Sequence, residues 1–166
     1  ISKEYLRHNR LKSAFEKLNI NVSSVIIDQM SDDYVAHLPD HNFLVKDTLL
    51  VLDYLKEKYK LHIITNGFTE VQKKKITNSN LDKYFSCIID SETVGVKKPN
   101  SKVFEYALRV AGATKDESLM IGDNLEADII GAINAGFSAI HFNNNNEPIH
   151  SHCKIITELK TLNSIL

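Results

Sequence analysis

The feature that most constrains this chain is a strict alternation, after residue 42, of short, almost wholly apolar segments with longer amphipathic ones. The short segments are Leu61 to Thr65, Ser86 to Asp90, Ser118 to Ile121 and Ser138 to Phe142. The longer ones run from near Lys46 to Tyr59, Thr69 to about Ser79, Ser101 to Ala111 and Leu125 to Ala135, with the three- and four-residue apolar spacing of a helix face. Strand and helix in turn build a parallel sheet, and strands apolar along their length need cover on both faces. The spacing predicts an α/β fold, a three-layer α/β/α Rossmann-like domain over residues 43–166. Gly136 suits a helix stop through its tolerance of positive φ. Asn143 to Asn146 reads as a polar loop, and Ile155 to Leu166 as a short extended piece with a terminal helix.

Residues 1–42 follow another pattern. Leu11, Ala14, Phe15 and Leu18 mark one face of a helix from Lys3 to Leu18. A second helix, capped by Asn21 or Ser23, keeps Ile27, Met30 and Tyr34 on one side as far as His37. Leu38 to Asn42, with Pro39, reads as a linker.

Composition excludes several classes of function. Hydrophobic residues make up 43% and charged residues 25% of 166, with a net charge of -1, which is the balance of an ordinary globular core. The basic excess that carries non-specific binding to nucleic acid or anionic lipid is absent. No apolar run reaches the roughly 18 residues of a membrane span, and no signal peptide is recognisable. Cys87 and Cys153 lie in no metal-ligand or disulfide pattern, so reduced thiols and a cytoplasmic location are expected. No Gly-x-Gly-x-x-Gly follows a strand, which ranks a dinucleotide binder last.

In a doubly wound sheet the chemistry stands at the carboxyl ends of the strands. Three such places carry candidates. At the first, Thr65-Asn66-Gly67 precedes Thr69 and Gln72, which fit a capping box; Thr65 and the amides after it either form an ordinary turn or hold an anionic oxygen. The second is Lys98 before Pro99, either a solvated surface charge or an ammonium reaching the same strand ends. The third is Ile121-Gly122-Asp123-Asn124 with Asp128 one turn on. Its acids either complement a helix N-terminus, as Asp123 and Glu126 could, or converge on a hard cation such as Mg²⁺. Phosphate is the ligand that satisfies a hydroxyl with amides, a cation and metal-binding acids together.

These motifs resemble those of the haloacid dehalogenase superfamily. The second motif of that superfamily matches Thr65 and Asn66, its third Lys98 with Pro99, and its fourth Gly122, Asp123 and Asp128. The likeness covers roughly Leu44 to the C-terminus, and Thr65 to Phe68, Ser91-Glu92, Lys98-Pro99 and Ile121 to Asn124 look most like its pyrimidine 5′-nucleotidase branch. The resemblance implies a Mg²⁺-dependent phosphohydrolase acting on a small phosphorylated metabolite, with a nucleoside monophosphate among the candidates. It implies Thr65, Asn66, Gly67 and Lys98 as phosphate-binding residues, Thr65 and Lys98 in the catalytic apparatus, and Asp123 and Asp128 at the metal. Residues 1–42 would be part of a helical cap.

The superfamily's nucleophile motif, Asp-x-Asp-x-Thr at the end of a first central strand, does not occur in these 166 residues. Asp28 is the nearest candidate, and it is rejected because it falls in a helical pattern with Met30 at the second acidic position. Together with Ile1 in place of an initiator methionine, this leads to the expectation of a fragment that lacks the central strand and has no turnover of its own. The alternative is a catalytically dead binding module. His150, His152 and Cys153 crowd one loop but lack a fourth soft-metal ligand, and His62 and His141 are expected to be packed or hydrogen-bonded core residues.

Overall fold

The computed structural model describes residues 2–166, which divide into two compact units, one ending at Asn42 and the other spanning Phe43–Leu166. The first holds α1 (Lys3–Lys17) and α2 (Ser24–His37). Ser2 and Ser23 cap them by accepting from the amides of Tyr5 and Ile26, which settles the second cap on Ser23. His8 Nδ1 meets Asp28 Oδ1 at 2.6 Å across the pair, so Asp28 lies exposed within a helix, bonded to a neighbouring helix. The linker after α2 contains a single 3₁₀ turn, Leu38–Asp40.

The second unit runs α3 (Thr48–Lys56), β1 (Leu61–Thr65), α4 (Thr69–Asn78), β2 (Phe85–Asp90), α5 (Ser91–Val94), α6 (Ser101–Ala111), β3 (Leu119–Gly122), a π-helical turn (Leu125–Ile130), α7 (Gly131–Asn134), β4 (Ser138–Phe142), β5 (Lys154–Ile156) and α8 (Leu162–Ile165). Two departures from expectation matter for the site. The segment read as one helix after β3 begins as a wider π turn and becomes α-helical only at Gly131. A four-residue helix, α5, follows β2 directly because Asp90 caps it through the amides of Glu92 and Thr93. Gly136 has φ +89° just past α7, the left-handed stop its position suggested.

All strand pairs are parallel, in two sheets: β1 with β2, and β3, β4 and β5 in that order. Helices cover both faces. Val51 and Leu55 of α3 and Leu162 of α8 pack with Ile140, Phe142 and Ile156, with Leu61 and Ile121 against them. Phe104 of α6 and Ala132 of α7 pack with Met120, with Ile64 against them. Ile121 and Met120 are neighbours in β3 and serve opposite cores, as side chains alternating across a strand must. Among the described residues, β1 pairs only with β2 and β3 only with β4, so each presents one unpaired edge, and those edges border a common cleft.

Candidate active site

The cleft has a volume of about 550 Å³ and is lined by Ile63 to Gly67 on the β1 side and Met120 to Asn124 on the β3 side. Thr65, Asn66, Gly67, Lys98, Asp123 and Asp128 all border it, so the three loops singled out in the sequence converge on one space.

Each loop is fixed by specific bonds. Thr65 Oγ1 accepts from the Gly67 amide at 3.0 Å, which leaves the hydroxyl hydrogen to donate elsewhere. Asn66 and Lys98 are clamped reciprocally: the Lys98 amide donates to Asn66 Oδ1 at 2.8 Å and Asn66 Nδ2 donates to the Lys98 carbonyl at 3.0 Å. A hydroxyl from Ser91 donates to the Asn66 carbonyl at 3.3 Å. The strand tip is therefore bonded to the lysine loop at two points and to Ser91 at a third.

Lys98 is not the solvated surface charge of the ordinary reading. Its ammonium donates to the Ile64 carbonyl at 2.7 Å and pairs with Asp128 Oδ1 at 2.6 Å, both side chains being 8% exposed. It thus joins the end of β1 to the turn after β3. Asp128 Oδ2 accepts from the Asn124 amide at 3.2 Å, and Asn124 Oδ1 caps the π turn through the Ala127 amide at 2.7 Å. Gly122 makes this approach possible, since a β-carbon there would stand 2.4 Å from Asp128 Cβ. Asp123 is exposed at the cleft, while Asp128 is buried. The two acids of the motif therefore have different environments, and Asp128 is tied to Lys98 rather than merely complementing a helix end.

The expected capping box is corrected. Phe68, whose side chain cannot cap a helix, occupies the N-cap position of α4, and Thr69 turns its hydroxyl to Asp90 Oδ1 at 2.6 Å while its amide donates to Glu92 Oε2. A hydrogen bond to an ionised, buried carboxylate is stronger than one to a backbone amide, which favours Asp90 over the local cap. Asp90 was not singled out from the sequence. Paired with Thr65 across the parallel strands, it is buried and also accepts from Thr93 Oγ1 at 2.9 Å. Burial alone would raise its pKa, but bonds from Thr69, Thr93 and Glu92 hold it below the ordinary carboxylate value. An acid at the end of an apolar run followed by Ser-Glu-Thr is the N-cap signal that could have found it.

His141 is fully buried and hydrogen-bonded, as expected. His62 is only half-buried, and its buried Nδ1 has no hydrogen-bond partner; desolvation, with Lys60 nearby, lowers its pKa. Among the described residues no group of three His, Cys, Asp or Glu side chains is placed to hold a metal ion. The oxygen donors of Asp123 and Asp128 suit a hard cation that completes its shell with water and phosphate oxygens. Asp123 is the exposed acid of the two, whereas Asp128 Oδ1 pairs with Lys98 and Oδ2 accepts from the Asn124 amide.

Comparison with known proteins gives a consistent result. The family model for haloacid dehalogenase-like hydrolases matches residues 3–142. The chain is 34% identical over 139 residues to the pyrimidine 5′-nucleotidase YjjG of Escherichia coli, covering 83% of this chain and 60% of that protein. It is 30% identical over 168 residues to the pyrimidine 5′-nucleotidase PynA of Streptococcus pneumoniae, covering 100% and 70%. A glyceraldehyde 3-phosphate phosphatase of Methanothermobacter thermautotrophicus is 38% identical over 96 residues, 58% of this chain and 42% of that one. Of two of these relatives, then, the chain spans less than two thirds. Among solved structures, the magnesium-bound putative hydrolase YfnB of Bacillus subtilis superposes with a TM-score of 0.85 at 25% identity, covering 99% of this chain and 73% of that one. Among the described residues no helix is long and apolar enough to cross a membrane.

Proposed function

This chain belongs to the haloacid dehalogenase-like hydrolase family, and on that premise we propose that it is the phosphate- and metal-binding portion of a Mg²⁺-dependent phosphomonoesterase. The observation that carries this reading is Lys98 Nζ, held between the Ile64 carbonyl and Asp128 at the head of a cleft that Thr65 and Asp123 also border. A buried ammonium, a hydroxyl with an unspent hydrogen and an exposed carboxylate beside it are complementary to a phosphoryl group with its counter-cation. The substrate class we infer is a small phosphorylated metabolite. Likeness to two pyrimidine 5′-nucleotidases favours a nucleoside monophosphate.

In this reading Thr65 and Lys98 bind phosphoryl oxygens, Asn66 holds Lys98 in register, and the Gly67 turn lets the backbone approach the ligand. Asp123 would hold Mg²⁺ directly, and Asp128 would orient Lys98 while contributing to the metal through water. The ion would neutralise charge on the transferring phosphoryl group. Residues 1–42 would belong to a helical cap. The free thiols Cys87 and Cys153 and the absence of a basic excess suit a cytoplasmic enzyme without nucleic-acid partners.

None of the 166 residues supplies the Asp-x-Asp-x-Thr nucleophile, so in this reading they bind phosphate and Mg²⁺ without turning substrate over. Phosphate release from nucleoside monophosphates with Mg²⁺ should stay at background, and robust release abolished by Asp28→Asn would overturn this. In a longer form carrying the motif, Lys98→Ala and Asp123→Ala should each lower kcat/KM by about 10² or more. Unchanged rates would remove both residues from the site. A non-catalytic phosphate-binding module is favoured instead if the encoding gene holds no such motif.

A further inference from the structure

His141 lies in β4 opposite Gly122, one residue before Asp123, and is fully buried. Its Nε2 stands 3.2 Å from the Asp123 carbonyl oxygen and 3.6 Å from Glu147 Oε2. Both neighbours accept only, so Nε2 carries the hydrogen and donates to the Asp123 carbonyl. On the other side of the ring, Nδ1 lies 2.9 Å from His150 Nε2. The His152 amide donates to His150 Nδ1 at 3.3 Å, which makes Nδ1 the acceptor of that ring. A neutral His150 must then carry its hydrogen on Nε2 and donate it to His141 Nδ1. The bonds run in one direction, from the His152 amide through His150 and His141 to the carbonyl of Asp123. Asn143 frames this path: its side chain donates to the Glu147 carbonyl and accepts from the Glu147 amide, both at 2.8 Å, and so brings the loop back over His141.

We propose that His141 is the positioning residue of the Asp123 strand tip, its tautomer set by His150 through the bond between the two rings. His141 touches neither phosphate nor metal; it fixes the backbone from which the Asp123 carboxylate projects. The site is thereby coupled to a loop whose outermost members, His150 and His152, are accessible to solvent. The effect on metal binding rests on Asp123 as the Mg²⁺ ligand, whereas the direction of the bonds does not.

The test uses the chain as it stands. Side-chain ¹⁵N spectroscopy should show His141 and His150 both as Nε2-H tautomers at neutral pH. His150→Leu, which removes the donor, should redistribute the His141 tautomer, shift the Asp123 and Asn124 amide resonances and weaken Mg²⁺ binding about 10-fold or more, the usual size of an outer-shell loss. His150→Gln, which keeps an N-H donor, should restore most of both effects. An Nδ1-H tautomer at His141 in the native chain would overturn the proposal, as would His150→Leu leaving the Asp123 amide and the Mg²⁺ affinity unchanged. If Mg²⁺ does not perturb Asp123 in the native chain, the metal assignment fails, and the tautomer and amide shifts still decide whether His141 positions the strand tip.

Discussion

Lys98 and Asp128 form a 2.6 Å ion pair with little exposure, so removing either partner leaves the other charge desolvated and unpaired. Lys98→Met or Asp128→Leu should cost about 3–5 kcal/mol, read from urea unfolding, while the double variant should recover much of that loss. Equal losses that simply add would show that the two groups do not interact. His62 has the opposite character, because burial lowers its pKa from the ordinary 6.5. As pH falls below 6.5 the unfolded chain takes up a proton before the folded one does, so stability declines and then levels off below the folded pKa. His62→Gln should flatten that part of the stability profile, and an unchanged slope would assign it to another group. The reactive residue types were legible in the sequence because they cluster at strand ends. Asp90 was not, since its importance lies in Thr69, 21 residues away in the chain, turning its hydroxyl to Asp90 and its amide to Glu92 in the helix that Asp90 caps.

The turn after β3 shows how an element is shaped by what it must deliver. Leu125–Ile130 is π-helical, a form that recurs at functional sites, and it carries Asp128 back against Gly122. Gly122→Ala would drive a β-carbon to 2.4 Å from Asp128, so a loss of about 1–3 kcal/mol is expected, together with displacement of Lys98, visible as shifted Lys98 side-chain resonances. A variant as stable as the native chain would mean that the turn yields freely. Gly131 serves a similar close approach at the start of α7, where a β-carbon would stand 2.9 Å from Pro99 Cα. Strand and helix order could be read from apolar periodicity alone. The π turn and α5 could not, because six residues are too few for the wider π period to show and α5 is shorter still.

At the scale of the molecule, the helices on both faces hold together two parallel sheets whose facing edges leave the cleft open. The unit spanning Phe43–Leu166 contains both of these cores, and Phe43 at its start is 95% exposed. Brief chymotrypsin treatment should therefore cut at Phe43 and release a 44–166 fragment that still unfolds in a single cooperative transition; rapid further digestion would show that it depends on residues 1–42. The sequence by itself determined the α/β alternation, the order of the main elements and which residues stand at the strand ends, because periodicity and residue chemistry are local properties. Only the tertiary structure decided that Lys98 is buried against Asp128, that Thr69 serves Asp90 rather than its own helix, and that two histidines stand in line behind Asp123. Each of those outcomes depends on which distant group arrives to satisfy a desolvated charge or hydrogen bond, and no local pattern along the chain encodes it.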